Sequence, residues 1–247
     1  MINLFDKIKI RKIKNYEDKI SFNGPFKKFV KLKNNSILNL LEELRKLKLI
    51  SDYYKITVTK NIPVFGGLGG GTSNAAFILK YLLKNKFKNN ILKKLESTVG
   101  SDLRLFFKKQ GFLKKLGKLV ELKNKQTFYF LLTQPNIKCS TKKVYSKVKK
   151  FSKKEHLDGK LIKSRDKFTD YLSKSRNDLQ FIVEKKYPLI KKILTDIKKM
   201  EGCSFSRITG SGSVCYGLFK NQIKAKKALN NLKIKYPKFW LSLAKTV

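Results

Sequence analysis

Between Pro63 and Ala76 the chain reads Pro-Val-Phe-Gly-Gly-Leu-Gly-Gly-Gly-Thr-Ser-Asn-Ala-Ala, with five glycines set between two segments of different periodicity. Upstream, Tyr53–Lys60 alternates apolar and polar side chains, as a strand with one wet face does. Downstream, Ser73–Leu83 has little charge on its first turns and reads as a buried helix. A strand, a glycine turn and a helix in that order commit this region to mixed α and β structure. Without a Cβ, glycine lets the turn's amides face inward, and the helix N-terminus behind them adds partial positive charge. A phosphate chain fits such a loop. It is not a Walker A loop, because Thr72 stands where the lysine would be. It is not G-x-G-x-x-G either, because Thr72 also occupies the third place after Gly69. Phosphates would therefore rest on amides, on the Thr72 and Ser73 hydroxyls and on magnesium. The competing reading is a purely structural glycine turn.

The remainder of the 247 residues interleaves strands and helices. Ile8–Ile13 and Lys19–Phe22 read as strands, and Asn35-Ser36 offers an N-cap for an apolar-periodic helix through Leu44. Helices are expected at Asn90–Val99 and Asp102–Lys108, and strands at Lys118–Leu122 and Phe128–Thr133. The second half suggests a Lys-rich helix at Lys142–Phe151, a polar connector to about Asp166, and helices at Phe168–Glu184 and Pro188–Met200. A strand pair brackets Thr209–Gly212, followed by a helix at Ala225–Ile234 and a strand at Phe239–Ala244. Two domains, 1–126 and 127–247, are expected, with the boundary just before the Phe128 strand.

Lys and Arg total 58 against 17 Asp and Glu, a net charge of +41 that points first to an anionic partner such as nucleic acid. Only six of those bases are arginine, the residue that reads bases and phosphates with a planar fork. The lysines are spread through every segment with Asn, Ile and Phe, as a compositional bias would spread them, so nucleic acid is not the expected partner. Three cysteines at unrelated spacings fit a reducing, cytoplasmic setting. The single histidine, His156, reads as a solvated loop residue, and one imidazole is too few for a zinc site or a Ser-His-Asp hydrolase. No protein metal site is expected, and no apolar run is long enough to span a bilayer.

Several of these segments together resemble the GHMP small-molecule kinases, whose phosphate loop follows P-x-x-x-G-L-G-S-S-A-A. Pro63, Gly67, Leu68 and Ser73-x-Ala75-Ala76 match it. Gly100-Ser101-Asp102-Leu103-Arg104-Leu105-Phe106-Phe107 is similar to a family G-A-D-V-P-F-F segment, with Arg104 in place of proline. Pro135-Asn136-Ile137 with Ser140–Tyr145, Asn177-Asp178-Leu179-Gln180, and Ile208–Phe219 around Gly210-Ser211-Gly212 resemble further family motifs in order. The resemblance implies an α+β, two-domain fold: a β-α N-terminal domain that binds ATP and a ferredoxin-like C-terminal domain. It also implies an ATP- and Mg2+-dependent kinase whose cofactor contacts fall on Pro63, Val64, Phe65, Gly66, Gly67, Leu68, Gly69, Gly70, Gly71, Thr72 and Ser73. The inserted third glycine resembles most the branch whose acceptor is a cytidine diphosphate-linked methylerythritol, a small-molecule substrate of non-mevalonate isoprenoid precursor biosynthesis. Homoserine- and mevalonate-type kinases are the alternative acceptor classes, and a nucleic-acid-binding basic protein is the alternative outside enzymes. The expected assembly is a monomer or homodimer.

By the same resemblance Asp102 is the catalytic base toward the acceptor hydroxyl; read alone, beside Ser101, it favours a cap of its helix instead. Thr141 is the one implied substrate contact. The Thr209–Ser213 loop either braces the phosphate loop or forms only a tight turn. The family's opening strand P-A-K-I-N-L-x-L and its D-G-Y-H turn have no clear counterpart. Asn3–Ile8 matches a later strand instead, so the family's first strand and roughly thirty residues are expected to be missing ahead of Met1. Either the start lies upstream or the lysine that pairs with the catalytic aspartate is lost. Weak ATP binding and slow turnover are expected of the chain as given.

Overall fold

Alternating exposure along Lys7–Ile13 (β1), Lys19–Asn23 (β2) and Tyr53–Thr59 (β3) makes each a strand with one buried face. In the computed structural model, which describes residues 1–33, 35–115, 117–122, 125–152 and 164–247, they form one sheet in the order β1-β3-β2. β1 runs antiparallel to β3 and β2 runs parallel to it. The helix Ser36–Lys46 (α1) connects β2 to β3; Asn35 starts it by accepting the Ile37 and Leu38 amides on its side chain. Arg45 fastens its far end with two hydrogen bonds to the Asp18 carboxylate, at 2.7 and 2.9 Å, and a third to the Asp52 carbonyl.

After β3 come Gly70–Leu82 (α2), Asn89–Thr98 (α3), a 3₁₀ turn at Leu103–Phe107 and the hairpin Gly111–Lys115 (β4) with Lys118–Glu121 (β5). Leu40 and Leu44 of α1, Ile56 and Val58 of β3, Ile78 and Leu79 of α2, and Leu95 of α3 fill one fully buried core. Each such side chain contributes roughly 1.5–3 kcal/mol. This first unit comprises Asn3–Val64 and Gly69–Glu121.

The second unit comprises Leu122–Val247 together with Phe65–Leu68, so the division does not fall at one point of the chain. Its elements are Tyr129–Gln134 (β6), Thr141–Tyr145 (α4), Arg165–Lys174 (α5), Gln180–Lys186 (α6) and Pro188–Lys198 (α7). Cys203–Ile208 (β7), Cys215–Phe219 (β8), Gln222–Lys235 (α8) and Trp240–Lys245 (β9) follow. The sheet order β7-β8-β6-β9, antiparallel throughout, is the ferredoxin-like arrangement. One face buries Leu131, Cys215 and Phe219 against Ile190, Ile193 and Ile197 of α7 and Ala225 and Leu232 of α8.

Several elements differ from the sequence reading: the strand Gly111–Lys115 has no counterpart in it, and the helix expected at Asp102–Lys108 is a 3₁₀ turn at Leu103–Phe107. The Lys142–Phe151 helix ends at Tyr145, where the ladder tightens into turns with the Lys147 and Val148 amides donating to the Val144 and Tyr145 carbonyls. The Phe168–Glu184 helix is two helices, broken where Asn177 turns its side chain onto the Ile208 and Gly210 carbonyls, at 3.2 and 2.7 Å. The helix expected from Ser73 begins at Gly70, because the glycines themselves pack: a Cβ on Gly70 would meet Ile62 at 3.0 Å and one on Gly71 would meet Ser36 at 3.2 Å. His156 and most of the connector around it lie outside the described residues.

Candidate active site

The glycine loop ends at Gly69, which is left-handed at φ 65° and serves as the N-cap of α2 without a side chain to offer. Ser73 is the first amide to bond back, to the Gly69 carbonyl at 2.8 Å. Among the described residues, the amides of Gly70, Gly71 and Thr72 therefore donate to nothing in the protein. No acidic side chain occupies the first turn, and the Thr72 and Ser73 hydroxyls also lack protein partners among the described residues. Three unpaired donors at the positive end of a helix, with two hydroxyls beside them, have the chemistry an anion site needs.

The first half of the loop belongs to the second unit. The Phe65 carbonyl accepts the Ser213 amide at 3.0 Å, and the Gly66 carbonyl accepts the Val214 amide at 3.3 Å and the Thr209 hydroxyl at 2.5 Å. Gly67, at φ 70°, lies so close that a Cβ would stand 2.1 Å from the Thr209 carbonyl oxygen. The Thr209–Val214 turn therefore braces Phe65–Gly67 as well as turning the β7-β8 hairpin. Of the flanking residues, Pro63 is buried and Val64 half-buried.

Within the first unit, Gly100 abuts the opening turn of α2 at Thr72. Two residues on, Asp102 starts the 3₁₀ turn but makes no capping bond with its side chain, so its carboxyl is not used as a cap. Leu103, fully buried, anchors the turn to the core. Arg104 is buried as well: it ion-pairs with Glu96 at 2.5 Å and donates to the Asn89 side chain at 3.0 Å and the Asn89 carbonyl at 3.3 Å. Asp102 itself is exposed, yet desolvation of its carboxyl by the adjoining protein pushes its pKa above the ordinary aspartate value. An uncapped carboxylate with a raised pKa, on a turn pressed against the anion site, is suited to accept a proton from a hydroxyl.

Sequence reasoning missed a buried charge cluster behind the loop. Asp6 ion-pairs with Lys60, and both side chains are almost wholly buried. An Asp and a Lys so far apart in sequence carry no local signal of pairing.

The hydroxyls of Thr141, the first residue of α4, and Ser211 share a hydrogen bond at 2.9 Å. A cavity of about 630 Å³ opens in the second unit over Phe130, Leu132 and Tyr216 of the sheet, with Arg176, Asp178 and Arg207 among its polar lining. Tyr145 and Leu68 line it too. Leu68 is peptide-bonded to Gly69, the N-cap of α2. Among the described residues no cluster of His, Cys, Asp or Glu could hold a metal by itself, and no helix is long and apolar enough to cross a membrane.

A family model described as "GHMP kinases N terminal domain" matches residues 34–100, and one described as "GHMP kinases C terminal" matches residues 160–238. The 4-diphosphocytidyl-2-C-methyl-D-erythritol kinase of Pelagibacter ubique is 36% identical over 251 residues, covering 100% of this chain and 88% of that protein. The kinase of the same name from Wolbachia pipientis wMel is 30% identical over 84% of this chain and 73% of its own length. A solved 4-(cytidine 5'-diphospho)-2C-methyl-D-erythritol kinase shares the fold, with a TM-score of 0.68 at 21% identity over 98% of this chain and 87% of that one. Homoserine kinase from Cytophaga hutchinsonii also gives a TM-score of 0.68, at 18% identity over 98% and 85%. With both family domains matched in order and a relative at 36% identity aligned along the whole of this chain, the chain belongs to the GHMP kinases.

Proposed function

We propose that the chain transfers the γ-phosphoryl group of ATP to the 2-hydroxyl of 4-diphosphocytidyl-2-C-methyl-D-erythritol, in the cytoplasm and within isoprenoid precursor biosynthesis. The observation that carries the acceptor assignment is the 36% identity to the Pelagibacter enzyme of that name, with 88% of that enzyme covered. The geometry supports the chemistry independently of the acceptor. The free amides of Gly70, Gly71 and Thr72 and the α2 dipole hold the phosphates and stabilise charge that builds on the transferring group. Asp102 orients the acceptor hydroxyl and takes its proton as the oxygen attacks. Bound Mg2+ would neutralise phosphate charge, and the Thr72 and Ser73 hydroxyls would offer it oxygens of the kind it accepts. Thr141 and the second-unit cavity, with its aromatic floor and two arginines, suit a nucleoside diphosphate acceptor.

ADP release measured with 4-diphosphocytidyl-2-C-methyl-D-erythritol, homoserine and mevalonate tests the assignment. Turnover with the first alone is expected; turnover with either of the others alone would reassign the acceptor.

A further inference from the structure

Both ends of the glycine loop meet on one carboxylate. Asp6 Oδ1 accepts the amides of Asn61 at 2.7 Å and Ile62 at 2.8 Å, immediately before the loop. Asp6 Oδ2 accepts the side-chain amide of Asn74 at 2.8 Å, on the first turn after the loop, and ion-pairs with Lys60. Four donors satisfy the carboxylate, whose side chain is 0% exposed against 5% for Lys60. Lys60 is itself fixed through its backbone, its amide donating to the Asn23 carbonyl at 2.8 Å and its carbonyl accepting the Phe26 amide at 3.3 Å. A Cβ on Gly70 would lie 3.4 Å from the Lys60 ammonium, so the pair sits directly under the first residue of α2.

The geometry points to Asp6 as the positioning residue of the phosphate cradle: with Lys60 neutralising it, its carboxylate closes the span Pro63–Ser73 from outside and sets where the Gly70–Thr72 amides converge. Gly69 cannot cap α2 with a side chain, so the bond from Asn74 to Asp6 is what ties the helix start to the strand end. Closing a loop of this length has an entropic cost, and a buried anchor at both ends removes the freedom that would blur donor positions. The inference rests on reading the loop as a nucleotide cradle.

The test uses the full chain with Asp6→Asn, Asp6→Asn/Lys60→Met and Asn74→Ala, each measured for ADP affinity and for amide exchange by mass spectrometry. In Asp6→Asn the new NH2 group faces the Lys60 ammonium and the Asn74 amide, donor against donor. ADP binding should weaken at least about tenfold, and exchange at residues 60–62 and 73–74, whose amides are hydrogen-bonded, should quicken by a similar factor, while α1 stays as protected as in the wild type. The double variant removes the ammonium, and Asn74 can turn its carbonyl to the new amide. Affinity and exchange should return to within about threefold of wild type. Unchanged exchange and affinity in Asp6→Asn, or a double variant as impaired as the single one, would overturn the proposal. If Asp6→Asn does not fold, Asn74→Ala decides: exchange should quicken at residues 73–74 and not at 60–62, and wild-type exchange at both would overturn it. A wild-type chain that does not bind ADP would remove the kinase reading, while the exchange pattern would still decide the role of Asp6.

Discussion

A Cβ added to Gly100 would stand 2.6 Å from Oγ1 of Thr72, so the turn that carries Asp102 touches the first turn of α2 with no room for a side chain. A threonine in a helix has few rotamers with which to yield. Gly100→Ala should therefore displace Asp102 relative to the Gly70–Thr72 amides, costing about 1–3 kcal/mol of stability and lowering kcat by about a hundredfold. Urea unfolding and steady-state kinetics on the same preparation check both. Wild-type kcat in a folded Gly100→Ala protein would show that this contact does not position the base.

Asp102 couples activity to stability through pH. Because desolvation raises its folded pKa above the unfolded value near 3.8, the folded chain holds that proton more tightly than the unfolded one. The associated stability is full below the unfolded pKa and is lost as pH rises through the folded pKa. Asp102→Asn, which stays neutral, should therefore melt higher than wild type at neutral pH, with the gain vanishing on acidification below about pH 3.9. Melting temperatures of both proteins across pH 3–8 provide the check; a variant less stable than wild type at neutral pH would contradict the raised pKa.

Arg104 takes the family's proline position and holds the Asp102 turn to α3 through Glu96 and Asn89. Arg104→Ala would leave the Glu96 carboxylate buried without a partner, at a cost of about 3–5 kcal/mol. Replacing both, as Arg104→Met with Glu96→Leu, should recover most of that loss. Denaturant midpoints of the two variants separate a buried pair from a solvated one, for which the single change would cost under about 1 kcal/mol.

The braced half of the loop should show a steep contrast. Gly67→Ala drives a Cβ into the Thr209 carbonyl at 2.1 Å, backbone against backbone, with no side chain free to yield. It should cost at least about 3 kcal/mol. Thr209→Val removes one hydroxyl bond to Gly66 while the Val214 amide still serves that carbonyl, and should cost about 1 kcal/mol. Equal costs in urea titrations would contradict this packing.

All three thiols are held protonated by burial: Cys203 is pushed up to about 11, and Cys139 and Cys215 are raised as well. In native protein at pH 8 the buried Cys139 and Cys215 should react with a disulfide reagent only as fast as the chain unfolds, the half-buried Cys203 should react slowly, and all three should react promptly in guanidinium. A thiol labelled within seconds under native conditions would contradict this burial.

The sequence made some of this legible and hid the rest for identifiable reasons. Strand alternation and the Asn35 cap are local signals, and both elements form as read. The glycine loop is legible as a turn from strand to helix, and its amides at Gly70–Thr72 lie unpaired among the described residues as a phosphate-binding reading requires. What holds that loop is not legible. Thr209 reaches Gly66 across 143 positions, and Lys60 reaches Asp6 across 54, so topology alone brings them together. The break at Asn177 was missed for the same reason: its side chain serves carbonyls 31 and 33 residues away, and helical periodicity carries no trace of that demand. Arg104 could be seen as a departure from the family pattern, but its partners on α3 could not.

The most direct test is single-turnover transfer of labelled γ-phosphate to 4-diphosphocytidyl-2-C-methyl-D-erythritol by wild type and Asp102→Asn, with the ATP Kd of each measured alongside. If Asp102 is the base and the α2 amides hold the nucleotide, transfer by the variant should fall at least about a hundredfold while its ATP Kd stays within about threefold of wild type. Transfer at the wild-type rate by Asp102→Asn would contradict the assignment.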